Sequence, residues 1–162
     1  MRIRLPSGVS FRDDLRLMVW QPHGILDEPQ VEKIISALER AEDEAEHPFN
    51  RYTDLSKIDA IDLDFKYIFR ISLYRRLVYA KRSPVKSAFY VTNKATSHIA
   101  STHAMLTNHS PLSVKLFTEL EAAAKWLGVA VDDLRIAPAK RPRVSERRSQ
   151  VPKSRSGIAA GG

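Results

Sequence analysis

Three short runs suited to β-strands, FNRYTD (49–54), VKSAFYV (85–91) and LSVKLF (112–117), are separated by 30 and 20 residues of helical pattern. A strand that returns parallel to its predecessor needs a crossover of a dozen or more residues, usually a helix. The chain is thereby directed toward a largely parallel sheet with helices packed on it. Ahead of these runs, residues 9–12 and 15–21 flank Asp13-Asp14 and read as a hairpin that adds an antiparallel edge. In its second strand Leu15, Leu17 and Val19 share one face, and Arg16, Met18 and Trp20 share the other. The expected order is β-β-α-β-α-β-α-β-α, an α/β fold of about five strands and about four helices.

The helix ends carry their own marks. A turn at Pro22-His23-Gly24 precedes Asp27, which reads as an N-cap with Pro29 in the first turn and Gln30 placed for a capping box. The first helix should run to about Glu46, burying Val31, Ile34, Ile35, Leu38 and Ala45, with His47-Pro48 ending it. Asn93 caps a third helix over 94–107, and Ser110-Pro111 breaks the chain before the strand at 112–117. Thr118 with Glu121 reads as a second capping box, opening a last helix that Gly128 closes.

The second helix, FKYIFRISLYRRLVYAKR (65–82), is apolar twice. At 100° per residue Phe65, Ile68, Phe69, Leu73, Leu77 and Ala80 form one stripe, expected to cover the sheet. Tyr67, Ile71, Tyr74 and Val78 form a second, nearly opposite stripe, expected to face outward. The charges between them, Lys66, Arg70, Arg75, Arg76, Lys81 and Arg82, are all positive. Asp62 or Asp64 is the expected cap.

Net charge is +7, but it is unevenly placed. Residues 138–162 carry seven Lys or Arg and one acid, while residues 1–137 carry nineteen bases and eighteen acids. A domain that close to neutrality is not a general nucleic-acid binder; only the basic tail, read as disordered from its Pro, Ser, Gly, Lys and Arg, suits such contact. The expected division is a domain at 1–137 and a tail at 138–162. Within the domain, residues 1–64 hold eight bases and fourteen acids, whereas 65–118 hold nine bases and no acid. There is no cysteine, which excludes disulfides and thiolate chemistry. The first residues lack the apolar stretch of a secretory signal and no run spans a bilayer, so a cytoplasmic protein, peripheral at a membrane at most, is expected.

The strand order, the phrase YTDLSKIDAID after the third strand and the finish SPLSVKLFTELEAAAKWL resemble the SpoIIAA-like branch of the STAS superfamily, over about residues 9–129. The resemblance implies a STAS-like mixed sheet, akin also to the CRAL-TRIO lipid carriers, with no established catalytic residues. Anti-sigma antagonists among those relatives are switched by phosphorylation of a serine in a pattern like Asp-Ser-Ser-Gly. Here the matching stretch is Ile61-Asp62-Leu63-Asp64-Phe65, without a hydroxyl. Asp54, Ser56, Asp62 and Asp64 form the corresponding loop; capping and local backbone bonds are the ordinary roles for such residues.

Catalysis is not indicated: there is no Gly-x-Ser-x-Gly elbow and no Gly-rich phosphate loop. His98 and His103 stand five apart, where ligands on one helix need three or four, so no metal and no cofactor is expected; His103 reads as a hydrogen-bonded, half-buried histidine. The expected role is a regulatory or interaction module that docks a protein partner, or a second copy, through the helix at 64–82. The residues expected to make that contact are Tyr67, Arg70, Ile71, Tyr74, Arg75 and Val78. The alternative is a small hydrophobic ligand or an anionic membrane surface, with the same helix as a lid.

Overall fold

A computed structural model of the chain describes residues 5–108 and 110–136. The boundary expected at 137 and the basic tail after it lie outside the described residues. In chain order the elements are β1 (Val9–Arg12), β2 (Leu17–Trp20), β3 (Gly24–Asp27), α1 (Glu28–Ala45), β4 (Asn50–Asp54), β5 (Ile58–Asp62) and α2 (Phe65–Tyr79). They continue with β6 (Val85–Tyr90), α3 (Lys94–Thr107), β7 (Leu112–Phe117) and α4 (Leu120–Leu127), and a 3-10 turn at Val131–Leu134 closes the described chain.

Five strands form one sheet in the order β1-β2-β4-β6-β7, parallel except for β1, which pairs antiparallel with β2. This is the expected mixed, mostly parallel sheet with four helices. Both its faces are covered, so β2 is buried at every position. Leu17 and Val19 pack with Tyr52, Ala88 and Leu127 under α4, while Met18 and Trp20 pack with Ile34, Leu38 and Ala100 under α1 and α3.

Two strands were not legible. β3 and β5 make a separate parallel pair, with Leu26 opposite Ile61 and Asp27 opposite Asp62, where a turn and a loop were expected. Strands of four and five residues that carry Asp27, Asp59 and Asp62 lack the apolar run that marks a parallel strand. They hold because Leu26 and Ile58 insert into the α1 side of the core.

The caps follow the sequence closely. Asp27 Oδ1 accepts from the Gln30 N–H (3.0 Å), Asn93 Oδ1 from the Thr96 N–H (3.0 Å), and Asp64, not Asp62, caps α2 through the Tyr67 N–H (2.7 Å). Neither capping box closes. The Gln30 amide donates to the Ile25 carbonyl (2.5 Å) instead, and α4 has Glu119 rather than Thr118 at its N-cap, with no side-chain cap bond.

One glycine is held by close approach. Gly8 has φ +74°, and a Cβ there would stand 2.3 Å from the Gln21 carbonyl oxygen. Gln21 N–H in turn donates to the Gly8 carbonyl at 2.8 Å. Because backbone blocks the added methyl, Gly8→Ala is expected to cost about 1–2 kcal/mol in urea unfolding. An unchanged midpoint would show that the edge hairpin yields freely.

Candidate functional site: the two faces of the second helix

The second helix is apolar on two sides, as its sequence indicates, but it is turned the other way round. Tyr67, Ile68, Ser72, Arg75 and Tyr79 are buried, and of the stripe expected to cover the sheet only Ile68 is among them. Phe65, Phe69, Leu73 and Leu77, expected against the sheet, stand 66%, 49%, 46% and 67% exposed. Of the six residues expected to dock a partner, Tyr67 and Arg75 are buried, and Ile71 and Val78 are half-buried. Only Arg70 and Tyr74 remain at the surface. The reason lies across the seam. Tyr67, Arg75 and Tyr79 have polar tips that find partners inside, whereas phenylalanine and leucine have none to satisfy.

Those partners are the acids of α1. The Tyr67 hydroxyl donates to Glu32 (3.0 Å) and the Tyr74 hydroxyl to Glu39 (2.7 Å). Arg70 stands 3.8 Å from Glu28, and Arg75 stands 4.0 Å from Glu39. Burial and the Glu32 bond push the Tyr67 hydroxyl well above the ordinary tyrosine range; the Glu39 bond, then burial, raises Tyr74. The opposed charges of residues 1–64 and 65–118 thus meet inside one molecule, along the line where α2 lies against α1.

The seam ends in a buried node. Glu42 accepts from the Phe49 N–H (3.1 Å), Arg51 (3.0 Å), Arg82 (3.0 Å) and the Tyr79 hydroxyl. The guanidinium carbons of Arg51, Arg75 and Arg82 lie 4.5, 4.7 and 5.4 Å from the centroid of the Tyr79 ring, in cation–π range. Burial, then repulsion from Arg75, lowers the Arg51 pKa to about 10, so it stays charged at neutral pH. This node was not read from the sequence, although a signal was there. Glu42 falls at i+4 from Leu38 and i+8 from Ile34, a carboxylate on the stripe that faces the core.

Between the sheet and α1, α2 and α3 lies a cavity of about 130 Å³. Its walls are mainly apolar, and its polar residues are Arg51 and Thr53 from β4, Ser87 from β6, Arg75 from α2 and His103 from α3. His103 Nδ1 is in hydrogen-bonding contact with Ser72 Oγ at 2.7 Å, as the half-buried reading expected. Burial first, then Arg75 and Arg51, pushes its pKa down to about 4, which leaves a neutral imidazole at pH 7. Arg51 Nε, Arg51 Nη1 and Arg75 Nη1 are buried and have no hydrogen-bond acceptor. Tyr67, Ile71 and Arg75, expected as docking residues, are therefore cavity walls.

The loop before α2 has local tasks. Asp54 accepts from the Gln21 amide (2.6 Å) and from the Ser56 N–H (2.9 Å), which folds the Asp-Leu-Ser turn. Asp62 ends β5, and Asp64 caps α2. A second, open cleft lies beyond the carboxyl ends of β6 and β7, lined by Asn93, Lys94, Ser97, His98 and Thr118.

No protein-family model matches the chain, and no curated protein matches it. Among solved structures it is similar to an uncharacterized protein of the DUF3478 family with a SpoIIAA-like fold from Shewanella loihica PV-4. The two share 16% identity over 74% of this chain and 90% of that one, with a TM-score of 0.48.

Proposed function

We propose that the domain is a non-catalytic module that lies on an anionic membrane surface through the outer face of α2. The observation that carries this reading is the exposed row Phe65, Phe69, Leu73 and Leu77, with the Phe65 and Phe69 rings stacked at 6.5 Å. Exposed Lys66, Arg70, Arg76 and Lys81 flank it. Among the described residues, Lys66, Arg76 and Lys81 have no carboxylate within 4 Å. Phe and Leu ringed by Lys and Arg is the composition of a helix that rests in a headgroup layer.

The same inversion weakens the docking of a partner protein. Protein interfaces favour tyrosine and arginine anchors, and here Tyr67, Arg75 and Tyr79 are turned inward. A second copy is disfavoured too, since two such faces would bring their unpaired bases together. Among the described residues no helix is long and apolar enough to cross a membrane, so the contact is peripheral.

The energies suit reversible binding. Completing the burial of four half-exposed apolar side chains is worth roughly 4–8 kcal/mol before association costs. Each base near an anionic surface adds about 1 kcal/mol, a contribution that salt removes.

Co-sedimentation of the full chain with phosphatidylglycerol vesicles tests this. The wild type should bind, release with added salt, and ignore phosphatidylcholine vesicles. Phe69→Glu/Leu73→Glu should keep its circular dichroism spectrum and urea midpoint, because both positions are exposed. It should bind at least about tenfold more weakly, a loss of about 1.4 kcal/mol or more. Equal binding by the double variant would move the contact elsewhere on the chain and overturn the reading.

A further inference from the structure

We infer that the cavity beneath α2 is a binding site for a small monocarboxylic acid with a compact apolar body, held by its carboxylate at Arg51 and Arg75. The first ground is charge. Arg51 and Arg75 are both buried, and the one buried carboxylate beside them, Glu42, already accepts from four donors. Glu39 is part-exposed, engaged by Tyr74, and 4.0 Å from Arg75 Nη1, beyond hydrogen-bond range. His103 is neutral. The polar end of the cavity therefore carries a positive charge that the part-exposed Glu39 offsets only in part.

The second ground is hydrogen bonding. Arg51 Nε and Nη1 and Arg75 Nη1 are buried donors without acceptors, and native proteins leave few of these. Water would satisfy the N–H groups, but it would leave the charge only partly offset. A carboxylate does both, since its two oxygens match the guanidinium fork. An excess of at most one charge favours a monoanion over a dianion.

The third ground is shape. Away from the arginines the wall is made of side chains such as Ile34, Leu55, Ile68, Ile71, Phe89 and Ile99, which reject a bare inorganic anion. A volume of about 130 Å³ is close to the roughly 150 Å³ that accommodates benzene in a dry protein cavity. Benzoate or an aliphatic acid of roughly four to six carbons fits that size, and a long acyl chain does not.

Entry is compatible with the way α2 is held. Its seam with α1 consists of tyrosine–carboxylate bonds and partly exposed ion pairs, which open at less cost than interdigitated apolar packing. The site also stands independently of the membrane contact, which uses the opposite face of the same helix.

Titration calorimetry of the full chain in the absence of lipid tests the assignment. Benzoate and hexanoate are expected to bind. Benzyl alcohol, which has the body without the charge, and acetate, which has the charge without the body, should each bind at least about tenfold more weakly, a difference of 1.4 kcal/mol or more. Dodecanoate should not compete. Arg75→Gln should lose benzoate binding, and Ile71→Phe, which keeps both guanidinium groups but fills the space, should lose it as well. If benzyl alcohol binds as tightly as benzoate, the cavity is merely apolar and the assignment fails. If neither acid binds the wild type, the unpaired donors are met by water and the assignment also fails. Neither result bears on vesicle binding.

Discussion

Replacing Glu42 with glutamine is expected to cost about 3–5 kcal/mol in urea unfolding, although the two side chains have nearly the same shape. Glu42 is the single buried acceptor for Arg51, the Tyr79 hydroxyl, the Phe49 N–H and Arg82. An amide in its place offers one carbonyl oxygen and turns an NH2 group toward Arg82, which cannot accept, and the Tyr79 hydroxyl, which already accepts from Arg75 at 3.2 Å. More costly still, Arg51 and Arg75 would keep their charges in the interior with only the part-exposed Glu39, 4.0 Å from Arg75, to offset them. Three controls separate charge from packing. Arg82→Gln removes a partner that is one-third exposed and should cost less than about 1 kcal/mol, since solvent already screens it. Arg51→Met in the wild type should be harmful, because it deprives Glu42 of a buried partner. Joined to Glu42→Gln, the same change should restore part of the lost stability, because a neutral amide facing a thioether removes one of the two buried guanidinium charges and leaves only Arg75. A Glu42→Gln loss under about 1 kcal/mol would show that the node is hydrated.

That node also marks where the sequence stops being legible. The sheet, its one antiparallel edge and the caps at Asp27, Asp64 and Asn93 could be read because each rests on local chemistry: strand-forming runs, crossover length, and a side-chain oxygen before a helix. The orientation of α2 could not. Both its stripes are apolar, so periodicity shows that the helix has two faces and leaves open which one is inside. The choice is made by residues far away in sequence, the acids at 28, 32, 39 and 42 on α1 and the arginine at 51 on β4. Charge segregation along the chain was the available clue. A half holding fourteen acids and a stretch holding nine bases and no acid point as readily to a seam within one molecule as to an outside partner. The strands at 24–27 and 58–62 were lost for a different reason: a two-stranded pair is marginal alone and becomes readable only once the core beneath it is known.

Stability should fall as pH drops from 6.5 toward 4, and His103 should account for a separable part of that fall. Its imidazole is in contact with Ser72 on α2, packs edge-on against Phe89 at 5.9 Å, and shares the cavity wall with Arg51 from β4 and Arg75 from α2. Burial and the two guanidinium groups hold its folded-state pKa near 4, against 6.5 when unfolded. The sign follows from proton counting. Between those values the unfolded chain takes up a proton that the folded chain refuses, so lowering the pH favours unfolding. The contribution is fully present above pH 6.5 and lost by pH 4, and at 1.36 kcal/mol per unit it amounts to about 3 kcal/mol. His103→Asn keeps a polar atom within reach of Ser72 and removes the titration. The stability of the wild type relative to this variant, measured by urea unfolding at a series of pH values, should therefore shrink by up to about 3 kcal/mol between pH 7 and pH 4. Carboxylates titrate in both proteins and cancel in the difference. A difference that stays level across this range would mean that the imidazole is protonated in the folded protein as easily as in water, and that the cavity beneath α2 is open to solvent. With benzoate bound, the same difference should shrink less, because a carboxylate beside Arg51 and Arg75 offsets their repulsion and lets His103 take its proton at a higher pH.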